Sequence, residues 1–164
     1  MGSNMPQIKK LYILDQSETE YTDWSDSQSI KKLIKRRRER VKAIRRLIKE
    51  NKIKTPGDLF RAAMIFHHSG RLEEYGLAVT LSYISMTKGS KNGRWLYARA
   101  LDRFLLEISL PQKFGTQFEK ISGKWHICAY DKTTTDAERR KFLVPTLGHQ
   151  IKVRARELDK EDEK

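Results

Sequence analysis

The sequence predicts a mainly α domain: a compact antiparallel array of helices, helical-repeat-like in style, with one small β-hairpin near the C-terminal third. Three observations predict it. Apolar residues recur at i, i+3 and i+4 over successive stretches between residues 27 and 108. Short turns with helix start and stop residues separate those stretches. One alternating stretch, Phe118 to Ala129, surrounds a Ser122-Gly123 pair. No strict repeat period is present, which favours a bundle over a solenoid. The domain is expected over residues 26–150, after a partly disordered segment 1–25 and before a charged tail 151–164.

The first helix is expected from about Ser27 to Asn51, capped by Asp26 or Ser27. Ile30, Leu33, Ile34, Val41, Ile44, Leu47 and Ile48 form its apolar stripe. Arg37 falls inside that stripe, where it needs a partner acid or a bound anion. Thr55-Pro56-Gly57-Asp58 combines a capping Thr, a first-turn Pro and an acid three residues after the cap. The helix it starts runs to about His68 and stops at Ser69-Gly70, with Ala62, Ala63 and Phe66 on a side open to close approach. A third helix is read from about Leu72 to Lys88, closed by Gly89. A fourth covers residues 92–108, with Trp95, Ala98, Leu101, Leu105 and Leu106 in its stripe. Beyond the hairpin, Thr135-Asp136 opens a short helix through Phe142, and Pro145 breaks it. The tail from Lys152 is almost wholly charged and is expected to fray or stay disordered.

At 164 residues the chain is long enough for one core without metal or disulfide staples. A content of 38% hydrophobic and 34% charged residues describes a soluble domain with a heavily charged surface. Cys128 stands alone, which favours a reducing compartment. With no apolar run near the ~20 residues a bilayer requires and no secretory pattern, a cytoplasmic location is expected. Met1-Gly2-Ser3-Asn4 reads as a cloning remnant.

The net charge of +13 is concentrated. Residues 31–54 hold thirteen basic side chains against Glu39 and Glu50, a local excess of +11, and the remainder is close to neutral. Lys31, Lys35, Arg38, Lys42, Arg45 and Lys49 fall on the outward face of the first helix. Such a face tracks phosphates with salt-sensitive affinity. An anionic partner is therefore expected, RNA or DNA first and an acidic protein second, against the plainer reading of a solvated face. No RNA-binding aromatic motif accompanies it, so base-specific readout is not supported.

The most specific stretch is Leu101 to Gln117, LDRFLLEISLPQKFGTQ. Asp102 lies seven residues after Trp95 and four after Ala98, inside an apolar stripe. A carboxylate there must find partners, because a buried unpaired charge costs several kcal/mol. Pro111 ends the helix, Gly115 permits a turn, and Gln112, Thr116 and Gln117 add polar groups beside it. Two readings stand: a ligand site in which Asp102 orders Arg103 or His68 while Thr116 and Gln117 hold the ligand, or a structural knot in which the loop satisfies Asp102.

Here the chain resembles a bacterial domain family of unknown function. That family carries A-A-x-x-x-Q-H, then D-R, then Q-x-x-G-T-Q and a downstream Arg pair. This sequence shows Ala62-Ala63 with His68, Asp102-Arg103, Gln112, Gly115-Thr116-Gln117 and Arg139-Arg140, and Asp15-Gln16 is a weaker match near the start. The resemblance spans roughly residues 36–142, and His67 stands where the family usually has Gln. It implies a site without implying a reaction.

Three function classes follow. One is a nucleic-acid or acidic-protein binding module using the basic helix. A second is a small anionic-ligand site built from Arg37, His68, Asp102, Arg103 and Gln117, with Gln112 and Thr116 beside them. The third is a metal-independent ribonuclease. Arg61 and His68, seven residues apart, look like the R-x4-6-H element of HEPN-class helical ribonucleases, where His serves as acid or base and Arg stabilises phosphate charge. No phosphate-binding loop, dinucleotide fingerprint or nucleophile elbow is present. The four histidines lack metal-ligand spacing, and nothing near Cys128 would lower its thiol pKa. Neither a metal nor a cofactor is expected.

Overall fold

The computed structural model describes residues 6–162. Met1 to Asn4, read above as a remnant, lies outside them. The chain is mainly helical, with one small antiparallel sheet late in the sequence. α1 (Gln7–Glu20) precedes the long basic α2 (Ser27–Lys49), and α3 (Pro56–His67), α4 (Leu72–Thr87) and α5 (Lys91–Glu107) follow through short turns. β1 (Phe118–Ile121) and β2 (Lys124–Ile127) pair antiparallel, with Phe118 opposite Ile127 and Ile121 opposite Lys124. α6 (Asp136–Lys141) comes next. A short α7 (Leu147–His149) passes through a π-helical stretch, Gln150–Arg154, into α8 (Ala155–Asp162).

Local chemistry accounts for the boundaries. Asp26 caps α2 by accepting from the backbone N–H groups of Gln28 and Ser29. Thr55 with Asp58 and Thr135 with Glu138 form reciprocal capping boxes at the starts of α3 and α6. The hairpin turns on Ser122 and Gly123, both at positive φ, the geometry that matches the twist of two paired strands.

α3 is the centre of the array and packs against α1, α2, α4 and α5. Its residues Ala62 to His67 are buried on all sides, whereas the surrounding helices each bury one stripe. Val41, Ile44 and Leu47 of α2 meet Ala62, Ile65 and Phe66 of α3 and Ala78 of α4 in the main core. A second cluster, Ala98, Phe114 and Val144, seats the loop after α5. α4 and α5 cross closely. A Cβ added at Gly93 would stand 2.5 Å from Ser85 Oγ and 2.8 Å from the Met86 backbone nitrogen.

The described residues on either side of the expected 26–150 domain are largely helical. The segment 1–25 contains a full helix, α1, which buries Ile8 and Asp15 against the array. The charged tail is helical through Asp162 and is tied to the hairpin. Asp159 accepts from Trp125 N at 2.9 Å, and Asp162 accepts from Trp125 Nε1 at 2.8 Å and Lys120 Nζ at 2.6 Å. Its charges are held by specific donors, which composition alone does not reveal. No helix of the described residues is long and apolar enough to cross a membrane.

Candidate functional site

The loop after α5 is held by three buried polar side chains. Asp102 is 0% exposed, and its carboxylate is filled by loop donors: Phe114 N at 2.8 Å, Thr116 N at 2.9 Å and Thr116 Oγ1 at 2.8 Å. Burial holds the Asp102 carboxyl above its ordinary pKa, against the opposing pull of those donors. Gln112 is equally buried. Its Oε1 accepts from Gln117 N at 2.8 Å, and its Nε2 donates to Gln117 O and Cys128 O. Arg139 donates Nε to Phe114 O at 3.0 Å and Nη1 to Thr134 O. Gly115 turns at φ +81, where a side chain would be strained and would press on Ile127. Asp102 and Gln112 thus shape the loop, the arrangement of the second of the two readings above, and Asp102 makes no hydrogen bond to Arg103 or His68 among the described residues. Its short-range donors all come from the loop backbone and Thr116.

The loop in turn positions Arg103 and Gln117. Arg103 donates Nε to Gln117 Oε1 at 3.2 Å and Nη1 to His67 O at 2.8 Å, at the C-terminal end of α3. Gln117 donates onward to Thr116 Oγ1 at 3.0 Å. One turn before Arg103, Arg99 lies over the Trp95 ring, its guanidinium carbon 3.9 Å from the centroid. Burial lowers both guanidinium pKa values, that of Arg99 to about 10. These groups open onto a cavity of 460 Å³ that Trp125, His149, Arg154 and Leu158 also line.

His68 belongs to a different opening. Its Nδ1 donates to Asp15 Oδ2 at 2.6 Å, and Asp15 is 0% exposed. The other Asp15 oxygen accepts from Arg40 Nε at 3.2 Å, and Arg40 also reaches Glu18 at 2.6 Å. The His68 ring lines a 340 Å³ cleft with Trp24, Arg37, Arg38 and Arg71. An adjoining 320 Å³ groove shares Arg38, Ser69 and Arg71 and continues along α2 past Lys42 and Arg45. Arg37 donates to Thr19 Oγ1 at 3.0 Å, and its buried Nε has no acceptor among the described residues. Burial lowers its pKa, with the charges of Arg40 and Arg103 adding in the same sense.

Of the other expected residues, Lys31, Lys35, Arg38, Lys42 and Lys49 are exposed along α2 and form no ion pair among the described residues. Arg45 is instead engaged by Glu73 at 2.8 Å and Glu74 at 3.3 Å. Arg61 and His68 do not converge. Arg61 turns back toward the start of α3 to pair with Asp58 at 3.3 Å, over Gly57, about 10 Å along the helix from His68. No three His, Cys, Asp or Glu groups among the described residues are placed to hold a metal ion.

Sequence reasoning missed Arg40, Arg99 and the role of Asp15. A signal existed for two of them. Asp15 lies seven residues after Ile8, and Arg40 continues the series Leu33, Arg37, Arg40, Ile44 and Leu47, so each occupies an apolar stripe as Asp102 does. Comparison with family models, with curated proteins and with solved structures gave no match.

Proposed function

We propose that the protein binds single-stranded nucleic acid along α2, seating backbone phosphates on its exposed cations and in the cleft beside it. One observation carries this reading. The unpaired Lys31, Lys35, Arg38 and Lys42 run along α2 beside a cleft lined by His68, Arg37, Arg71 and Trp24. The groove that continues it past Lys42 has Glu73 and Glu74 on its far part, where they are answered by Arg45 and Arg71. Cations that follow a backbone beside an exposed aromatic ring are the elements of sequence-tolerant single-strand binding. Trp24 is 55% exposed, with the Arg37 guanidinium 5.9 Å from its ring centroid, and its open surface can stack on a base.

The test is titration of a fluorescent RNA across a salt series. The expected affinity falls about tenfold or more between ~50 and ~200 mM salt, because each neutralised phosphate contributes a slope of about −0.7. Reversing Lys35, Arg38 and Lys42 to Glu should weaken binding at least tenfold and flatten that slope. A charge-reversed protein that binds RNA as the parent does would refute the reading. Absence of binding by the parent at ~50 mM salt would do so too.

A second reading is favoured by the Asp15–His68 pair. A buried carboxylate on Nδ1 fixes the His68 tautomer and leaves Nε2 as a proton acceptor at the cleft. With Arg37 beside it, this arrangement supports metal-independent RNA cleavage: Nε2 takes the 2′-hydroxyl proton, the 2′-oxygen bonds to phosphorus, and the 5′-oxygen departs and is protonated by water. Cleavage lost in His68→Ala and absent on 2′-deoxy substrate would establish it. Intact RNA after long incubation at the pH of tight binding would leave a binding protein only.

A further inference from the structure

The cavity beside α5 lies apart from the nucleic-acid groove and has its own chemistry. Arg99 and Arg103 stand one helical turn apart on the same face, where two like charges repel. Both are largely withdrawn from water, yet neither is paired with a carboxylate among the described residues. Withdrawing a guanidinium from water is costly unless an anion answers it. The nearest acid in sequence, Asp102, is filled by the loop N–H groups and Thr116. Arg103 uses Nε and Nη1 on Gln117 and His67 O, and Arg99 makes one long contact of 3.4 Å to Trp95 O. The remaining N–H groups of both have no protein acceptor among the described residues. The third arginine at the cavity, Arg154, is already neutralised by Glu157 at 3.3 Å and Glu161 at 2.9 Å. Asp102 acts on Arg99 only through space, so the cavity's charge without a directly paired acid is that of Arg99 and Arg103 among the described residues.

Shape narrows the ligand. A volume of 460 Å³ exceeds the needs of a bare oxyanion and suits a molecule of nucleotide size. Trp125, Phe118 and Leu158 add apolar lining to the two arginines, and Gln117 supplies an amide. Planar guanidinium forks match phosphate oxygens in pairs. We infer that this cavity binds a small phosphate monoester with a flat apolar portion, its phosphate bridging Arg99 and Arg103 and its ring against Trp125. The site stands independently of the nucleic-acid reading, since it uses none of the α2 cations.

The chain has three tryptophans, so Trp24→Phe leaves Trp95 and Trp125 as reporters on the cavity itself. In that background, adenosine 5′-monophosphate should change the indole emission saturably, and adenosine should bind at least tenfold more weakly. Arg103→Gln and Arg99→Gln should each raise the dissociation constant at least tenfold. Arg99→Gln should do so with an unchanged or higher thermal midpoint, because it removes a cation that lacks a paired acid, whereas Arg103→Gln also loses the hydrogen bonds to His67 O and Gln117 and some stability with them. Arg99→Lys keeps the charge without the fork, and it tests the geometry should Arg99→Gln fail to fold; its dissociation constant should also rise. The inference is overturned by no saturable response to the monophosphate up to about 10 mM, a range that would detect millimolar binding. Equal binding of adenosine would overturn it as well. So would Arg variants that lose thermal stability while binding the monophosphate as the parent does, since that pattern marks a purely structural role.

Discussion

His67 and His68 are neighbours in sequence with opposite surroundings. His68 surfaces at the cleft on its Asp15 partner, whereas His67 is 5% exposed, and its Nδ1 has no partner among the described residues. Burial drives the His67 pKa well below 6.5, and the charges of Arg103, His68, Arg99 and Arg37 push in the same direction. The unfolded chain therefore takes up a proton near pH 6.5 that the native state refuses. Stability from this group is full above that pH and is lost as pH falls, at up to about 1.4 kcal/mol per pH unit. Replacing His67 with Gln should remove this loss, and urea midpoints measured between pH 7.5 and 5 should fall less steeply in the variant. Asp102 calls for a different test. Asp102→Ala leaves the Phe114 and Thr116 N–H groups without their acceptor, so urea unfolding should show a loss of about 3 kcal/mol. A loss below 1 kcal/mol would refute the structural role assigned here. The presence of Asp102 in an apolar stripe was legible in the sequence. Its partners were not, because they are backbone groups twelve and fourteen residues away whose direction depends on the folded loop.

At the scale of elements, the sequence was most readable where one residue type does one job. The capping residues Asp26, Thr55 and Thr135, the Ser122-Gly123 turn and the Leu33, Val41, Ile44 and Leu47 part of the α2 stripe appear where their chemistry placed them. Ile34 and Ile48, by contrast, are exposed, and α5 buries Gly93, Leu96, Ala98, Ala100 and Asp102 in place of the expected Trp95, Leu101, Leu105 and Leu106. α1 was not readable, since Asp15 shares its buried side while Ile13 and Leu14 lie exposed, which blurs its stripe, and its start carries no side-chain cap. α8 was hidden by its charges, which Trp125 and Lys120 answer from a distant hairpin. The α4–α5 crossing was also silent in the sequence, where Gly93 looks only like a weak helix residue. Its cost is repaid by close approach, with Ser85 Oγ donating to Pro56 O at 2.7 Å beneath it. Gly93→Ala should force the helices apart and lower stability by about 1–3 kcal/mol in chemical denaturation, the reverse of the usual effect of Ala in a helix.

The molecule as a whole joins two cationic regions that differ in their exposure to water. α2 spreads its cations over water, where counterions screen them, while the α5 cavity withdraws two cations from it. Between these regions run two chains of hydrogen bonds and ion pairs that meet at neighbouring residues, one from Glu18 through Arg40 and Asp15 to His68, the other from the His67 carbonyl through Arg103 to Gln117. The chain through Asp15 bears on how the protein acquires its shape. Asp15 meets Arg40 across 25 residues and His68 across 53, so α1 gains its polar partners only after α2 and α3 have formed. Long-range closures of this kind come late, because the intervening chain must first be ordered. α1 is then a clasp fastened onto a nearly finished array. Its amides should exchange with solvent through openings of lower free energy than those of α3, and Asp15→Asn should speed unfolding far more than it slows refolding. Equal protection of the two helices, or a refolding rate that falls in step with stability, would place α1 in the folding nucleus instead.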